Sequence, residues 1–174
     1  MIQKLIIFFT VSAFSFLPLF SQSRDSGKAD IRFSIDTRFG AEKGTFKKTS
    51  LKITDKKKGI GTVEIDIASI DTGNGKRDDH LRNEDFFDAP KYPKAIMEIL
   101  SVEINGTALK GKGKLTIKGI TKDIEFAAVL AKNGETETYT GSLKLNRQEY
   151  GITYSSMMAG IKDIVTVDFT VTIP

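Results

Sequence analysis

Apolar and polar residues alternate along most of this chain. Ile31, Phe33 and Ile35 are separated by Arg32 and Ser34, and Val63, Ile65 and Ile67 by Glu64 and Asp66. The C-terminal run is the longest: Val165, Val167, Phe169, Val171 and Ile173 face one way, Thr166, Asp168, Thr170 and Thr172 the other. A period of two puts one set of side chains on each face of a β-strand. The same reading predicts strands over 45–54, 94–104, 108–117, 123–131 and 137–146, about eight in all. Asn105-Gly106 and Asn133-Gly134 fall between strand runs, where Asn-Gly supplies the positive φ angles of a tight hairpin. The Asn105-Gly106-Thr107 sequon therefore reads as a turn, not as a glycosylation site.

Consecutive strands joined without long helical crossovers predict an all-β fold, a sandwich or a closed antiparallel barrel. Glycines inside strands, at Gly111, Gly113 and Gly141, favour a barrel around a cavity, because such glycines leave space for bends or for a ligand. The interior of an eight-stranded barrel is either filled by side chains or holds one small ligand. Residues 77–90 and 147–160 break the alternation and read as irregular or briefly helical.

The N-terminus is of another kind. Lys4 precedes an apolar run from Leu5 to Phe20, followed by small residues at Ser21 and Ser23. This is the pattern of a cleaved secretory signal. The run contains Pro18 and is shorter than the roughly 20 residues that span a bilayer. Residues 1–23 are thus expected to be removed, leaving one domain over 24–174 in the periplasm or outside the cell. The chain has no cysteine, which excludes a disulfide framework and every cysteine-based metal or nucleophile. The formal charge of +4 falls to +3 without Lys4. Lysines gather loosely between Lys43 and Lys58. They read as a solvated strand edge or, in the minority reading, as a contact with an anionic lipid surface. Nucleic-acid binding calls for a more basic patch interleaved with aromatics.

Candidate chemistry is confined to RDDHLRNEDFFDAPKYP, residues 77–93, which holds the single histidine, five carboxylates and two of the four prolines. A transition-metal site needs several His or Cys ligands, and His80 stands alone. Asp71-Thr72-Gly73-Asn74-Gly75 fails as a calcium loop, with glycine at two ligand positions and Arg82 where glutamate is required. No serine sits in a G-x-S-x-G elbow. Acid–base work by His80 with Asp78, Asp79 or Asp88 is the remaining catalytic option. A structural reading accounts for more residues. Arg77, Asp78, Asp79 and His80 pin a short helix with Asn83 as its N-cap, Phe86 and Phe87 insert rings into a core or barrel mouth, and Pro90 and Pro93 end the helix.

Residues 69–95 resemble the signature of the YceI-like lipid- and polyisoprenoid-binding family. The matching pieces are Ser69-Ile70-Asp71-Thr72, Arg77-Asp78-Asp79-His80-Leu81, Phe86-Phe87-Asp88 and Tyr92-Pro93. Three further segments are similar in order: Phe46 after Gly44, Gly113 to Lys122, and Arg147-Gln148-Glu149-Tyr150-Gly151. The likeness covers about residues 30–173. The family often carries histidines in and shortly after its first strand. Here that strand reads Asp30-Ile31-Arg32-Phe33-Ser34, so no role of theirs transfers.

The resemblance implies a lipocalin-like, extended eight-stranded antiparallel barrel holding a long isoprenoid or other amphiphile, in an exported bacterial protein. It implies no cofactor, no metal and no settled catalytic activity. In such a fold the wall is expected from Phe33, Ile35, Phe46, Val63, Ile65, Phe86, Phe87, Phe126, Val167 and Phe169, each of which equally suits plain core packing. Arg77 is the candidate for a phosphate headgroup, and His80 lies beside the phenylalanines, farther from the ligand. Two other classes stay open: an enzyme acting on a lipid or isoprenoid through His80, and a ligand-free envelope protein with a filled barrel. Whether two barrels pair is also open.

Overall fold

The computed structural model describes residues 27–155 and 157–174; the expected secretory signal over 1–23 lies outside the described residues. Ten antiparallel strands form one sheet: β1 (Lys28–Thr37), β2 (Gly40–Phe46), β3 (Thr49–Asp55), β4 (Ile60–Asp66), β5 (Ile70–Asp71), β6 (Lys94–Asn105), β7 (Ala108–Ile117), β8 (Ile120–Asn133), β9 (Thr136–Asn146) and β10 (Ile164–Ile173). Helix α1 (Gly75–Arg82) and single 3-10 turns at Ile67–Ser69 and Arg147–Tyr150 complete the described elements. The strand order is β3-β4-β6-β7-β8-β9-β10-β1-β2-β5.

The sheet curls until its first strand returns to β1. Gly27 bridges Leu51, and the Thr49 hydroxyl donates to the Ala29 carbonyl. The eight strands from β3 round to β1 make the barrel wall, and β2 and β5 continue from β1 as a flap. The expected all-β antiparallel class is what the chain adopts, with ten strands in place of about eight. The segment read as one strand over 45–54 is two, broken at Lys47-Lys48, whose amides bond the Ser69 carbonyl and hydroxyl at 3.1 and 3.0 Å. β2 begins at Gly40-Ala41-Glu42-Lys43-Gly44, which carries no apolar alternation, and β5 is too short to have any.

Alternation sets the faces. In β8, Ile124, Phe126, Ala128 and Leu130 are inward and the residues between them exposed. Ala29, Ile31, Leu51, Val63, Ile65, Ile67 and Ala95 are buried along the inner wall. Removing a branched side chain of this kind from water stabilises by about 1.5–3 kcal/mol. Curvature comes from two bulges at one level, where the register shifts between Ile53 and Asp55 and between Ile99 and Ser101. Bulges bend and twist the strand that carries them. Gly61 and Gly113 sit beside this row with neighbouring main chain against their Cα atoms, the Lys52 and Glu98 carbonyls respectively.

The hairpins differ in detail from the expectation. The Asn-Gly pairs do not form the two loop residues: Asn105 pairs with Ala108 and Asn133 with Thr136, so the loops are Gly106-Thr107 and Gly134-Glu135. Only the glycines have positive φ, 61° and 62°, the φ pattern of a type II′ turn. The turn with two positive φ angles is Lys118-Gly119, at 50° and 76°, between paired Ile117 and Ile120.

Three other in-strand glycines face aromatic rings. Phe33 is opposite Gly44, Phe126 opposite Gly111 and Phe169 opposite Gly141. In each case the tip of the ring lies over the glycine Cα, in the space a methyl group would occupy. The space these glycines leave is taken by rings lying across the wall. Gly111→Ala is expected to push the Phe126 ring off the wall and to cost about 1–3 kcal/mol, read as a lower midpoint of urea unfolding. Adding Phe126→Leu should recover part of the loss.

Candidate functional site

The rings and aliphatic side chains enclose a single elongated space of about 530 Å³. It follows the strands. Leu109 and Ile117, at opposite ends of β7, both border it and lie roughly 26 Å apart at about 3.3 Å per residue. All twelve residues singled out from the sequence border it: Phe33, Ile35, Phe46, Val63, Ile65, Arg77, His80, Phe86, Phe87, Phe126, Val167 and Phe169. Leu143, Leu145, Tyr139, Tyr150 and Tyr154 also form the wall and were not picked out. Leu143 and Leu145 do alternate along β9, the signal that finds β10.

One end is built from the charged stretch that stood out in the sequence. The helix there precedes its expected position: α1 starts after Asn74, whose side chain accepts from the Arg77 amide at 3.2 Å, and Asn83 caps its C-terminus. Asn83 is therefore not an N-cap, and Pro90 and Pro93 lie beyond a turn rather than at the helix end. The reason is local: Asn74-Gly75 starts a helix as readily as Asn83 does, and the Asp78 carboxylate decides. Asp78 is buried and accepts from the Thr72 amide at 2.9 Å and the Thr72 hydroxyl at 2.5 Å.

Arg77 completes this network. Its Nε donates to the Thr72 hydroxyl at 2.9 Å, one Nη to the Thr72 carbonyl at 2.9 Å, and the other to the Glu42 carboxylate. Three of its five N–H donors are committed inside the protein, and its charge is matched by Glu42. Arg77 thereby ties α1 to β2 while bordering the cavity. Arg82 holds the other side, donating to the Ala68 and Ile70 carbonyls at 3.0 and 3.1 Å.

His80 packs edge-on against Phe86 and Tyr154, with ring centroids 5.0 Å away in each case. Phe86 and Tyr154 lie 4.8 Å apart. The His80 Nε2 is 3.5 Å from an Asp85 carboxylate oxygen, both side chains being half-exposed. Asp78 is engaged with Thr72, Asp79 with Arg82 at 2.8 Å, and the Asp88 amide closes a turn on the Asn83 carbonyl. The histidine is one wall of an aromatic box. Phe87 lies farther along, edge-on to Phe46 at 6.1 Å.

A second loop closes the same end, and its anchor is a buried arginine. Arg147 is 5% exposed. It donates to the Ile152 and Tyr154 carbonyls at 2.7 Å, to the Lys162 carbonyl at 3.0 Å and to the Asp163 carboxylate at 3.0 Å. Gln148 shares Asp163 at 2.7 Å. Lys118, from the type I′ turn, joins the two segments by donating to the Glu84 carbonyl at 2.7 Å and the Gly151 carbonyl at 3.4 Å. At the opposite end Lys56, Lys57 and Lys58 border the cavity with Glu137 and Tyr139. The Tyr139 hydroxyl donates to Glu137 at 2.8 Å. Lys132, 2.7 Å from Glu137, holds that carboxyl below its usual range, with help from Tyr139.

The chain is thus an antiparallel barrel with a continuous apolar interior, latched at one end. The chain belongs to the YceI-like domain family, whose model matches residues 23–173. It is 40% identical over 73 residues to protein YceI of Escherichia coli O157:H7, 42% of this chain and 38% of that protein. The aligned stretch thus covers well under two thirds of that relative's length. Its structure is similar to that of BcnA from Burkholderia cenocepacia, with a TM-score of 0.76, 26% identity, and coverage of 84% of this chain and 96% of BcnA. It shares its fold with a polyisoprenoid binding domain from Saccharophagus degradans, at a TM-score of 0.70 and 17% identity over 86% of this chain and 97% of that domain.

Two outcomes follow. Arg147→Ala strands three carbonyls and Asp163, and is expected to cost about 3 kcal/mol of stability, seen as a lower denaturation midpoint at an unchanged slope. Burial, reinforced by Glu137, pushes the Tyr139 hydroxyl up from 10.0 to about 12. The folded protein then binds more protons than the unfolded chain between these values, so stability falls as pH rises through that window. In Tyr139→Phe the fall should be shallower, and one tyrosinate absorbance step near the top of the titration should disappear.

Proposed function

We propose that this chain binds a long apolar lipid, a polyisoprenoid or fatty-acid-like amphiphile, inside its barrel and carries or sequesters it in the cell envelope. The observation that carries the reading is the shape and lining of the cavity. It runs the length of β7 between apolar walls, so it suits a chain more than a compact polar metabolite. Each methylene transferred from water to such a wall contributes about 0.8 kcal/mol. Affinity then accumulates along the chain without many polar contacts. The family membership and the fold shared with a polyisoprenoid binding domain support the same class of ligand.

Transport through water also fits the leader read over residues 1–23, which would place the protein in the periplasm or outside the cell. The enzyme reading through His80 has less support. Its ring packs against Phe86 and Tyr154, and of the carboxylates named as its partners Asp78 is engaged with Thr72 and Asp79 with Arg82.

The test is mass spectrometry of the lipid that copurifies with the protein, followed by uptake of a fluorescent polyene by the delipidated form. Leu143→Trp narrows the cavity from a half-buried wall position. It should reduce polyene affinity by about tenfold or more, equal to about 1.4 kcal/mol, with an unchanged circular dichroism spectrum. Protein that carries no lipid and takes up no polyene would sink the proposal. Conversion of the bound lipid to a product, lost in His80→Ala, would move it to the enzyme class.

A further inference from the structure

Three of the largest apolar side chains left in water belong to two segments that meet at the latched end. Phe39 is 79% exposed, Met157 92% and Met158 80%. Phe39 tips the β1–β2 turn; the methionines belong to the loop that Arg147 anchors. The two segments are stitched together by main-chain hydrogen bonds, Arg38 N–H to the Ala159 carbonyl and Lys162 N–H to the Asp36 carbonyl, both 2.9 Å. Large apolar residues scattered singly over a surface are ordinary, whereas a contiguous exposed group marks a contact site.

This group sits on the rim of the cavity. Thr37, Ala159 and Ile161, all within three positions of the exposed residues, border the interior. The surrounding charges have a sign. Arg38 and Lys162 are exposed, and no carboxylate of the described residues forms an ion pair with either. Glu42 and Asp163 are matched by Arg77 and Arg147. Within the two stitched segments, 36–39 and 157–163, Asp36 is the carboxylate to set against these two cations, which leaves the segments positive.

Apolar tips surrounded by free cations complement an anionic bilayer surface, where the tips enter the acyl boundary and the cations meet phosphates. We propose that this protein docks on anionic membranes through Phe39, Met157 and Met158, with Arg38 and Lys162 at the headgroup level. The barrel end bordered by Thr37, Ala159 and Ile161 then faces the lipid. The inference rests on the lipid-carrier reading and adds to it the surface at which lipid would be exchanged.

The chain has no cysteine, so single reporters can be placed at will. Met157→Cys, and in a separate chain Thr107→Cys in a turn at the opposite end, carry an environment-sensitive fluorophore. Each is mixed with vesicles of phosphatidylcholine containing about 30% phosphatidylglycerol, with and without a lipid-bound quencher. The protein is used as its producing cell yields it, its N-terminus identified by mass spectrometry.

The expected result is a blue shift and quenching at position 157, neither at 107, with both effects lost on pure phosphatidylcholine or at high salt. Phe39→Ser with Met158→Ser in the Met157→Cys chain should weaken vesicle binding by about tenfold, while polyene uptake persists. Absence of quenching at 157, or equal quenching at both positions, overturns the docking surface. So does a dimer in solution that Phe39→Ser dissolves, which would assign the patch to a second copy. A protein that carries lipid but shows no quenching at 157 overturns docking alone and leaves the carrier reading standing.

Discussion

An apolar interior wide enough for a guest gains dispersion energy by collapsing, so something has to hold its largest side chains against the wall. In this barrel that constraint is met by cross-strand pairing of phenylalanine with glycine. Phe33, Phe126 and Phe169 each spread over a residue with no side chain of its own, and the rings become wall instead of filling. The arrangement works only because register is fixed. A one-residue slip would turn each ring outward and put a polar neighbour inside. The long ladders between β7 and β8 and between β9 and β10 set the register on which the open interior depends.

The two ends solve a different problem, since a barrel mouth leaves loop main chain with nothing to pair. At the latched end arginines supply the missing donors. Arg77, Arg82 and Arg147 together engage carbonyls of six residues, from Ala68 to Lys162, and each is balanced by one carboxylate. Charge is thus used as mortar at the rim and kept off the inner face of the long walls. This accounts for the charge gathered in the stretch 77–93.

The walls were legible in the sequence because alternation needs only nearest neighbours to be read. The inward residues of β4, β8 and β10 follow directly from it. The breaks were not legible. Lys47-Lys48 ends one strand and starts another because their amides find Ser69 more than twenty residues away, which no local pattern announces. The start of the helix is hidden for a similar reason: Asn74 and Asn83 are equally good caps, and the choice rests with Thr72 donating to the Asp78 carboxylate. The pairing of Arg77 with Glu42 was not legible because Glu42 lies on a strand with no alternation to reveal it. Arg147 passed as one member of a motif, since burial of a guanidinium is visible only once the carbonyls around it are known.

Arg147 has a consequence of its own. Three of its acceptors, on Ile152, Tyr154 and Lys162, are main-chain oxygens that every amino acid possesses. The bolt reads the path of the loop and is indifferent to most of its spelling. Substitutions along 153–161 can change what the rim presents to the outside while the course of the chain stays fixed. The mouth is in this sense an interchangeable fitting on a standard vessel, and new partners could be acquired there without reopening the question of how the barrel folds.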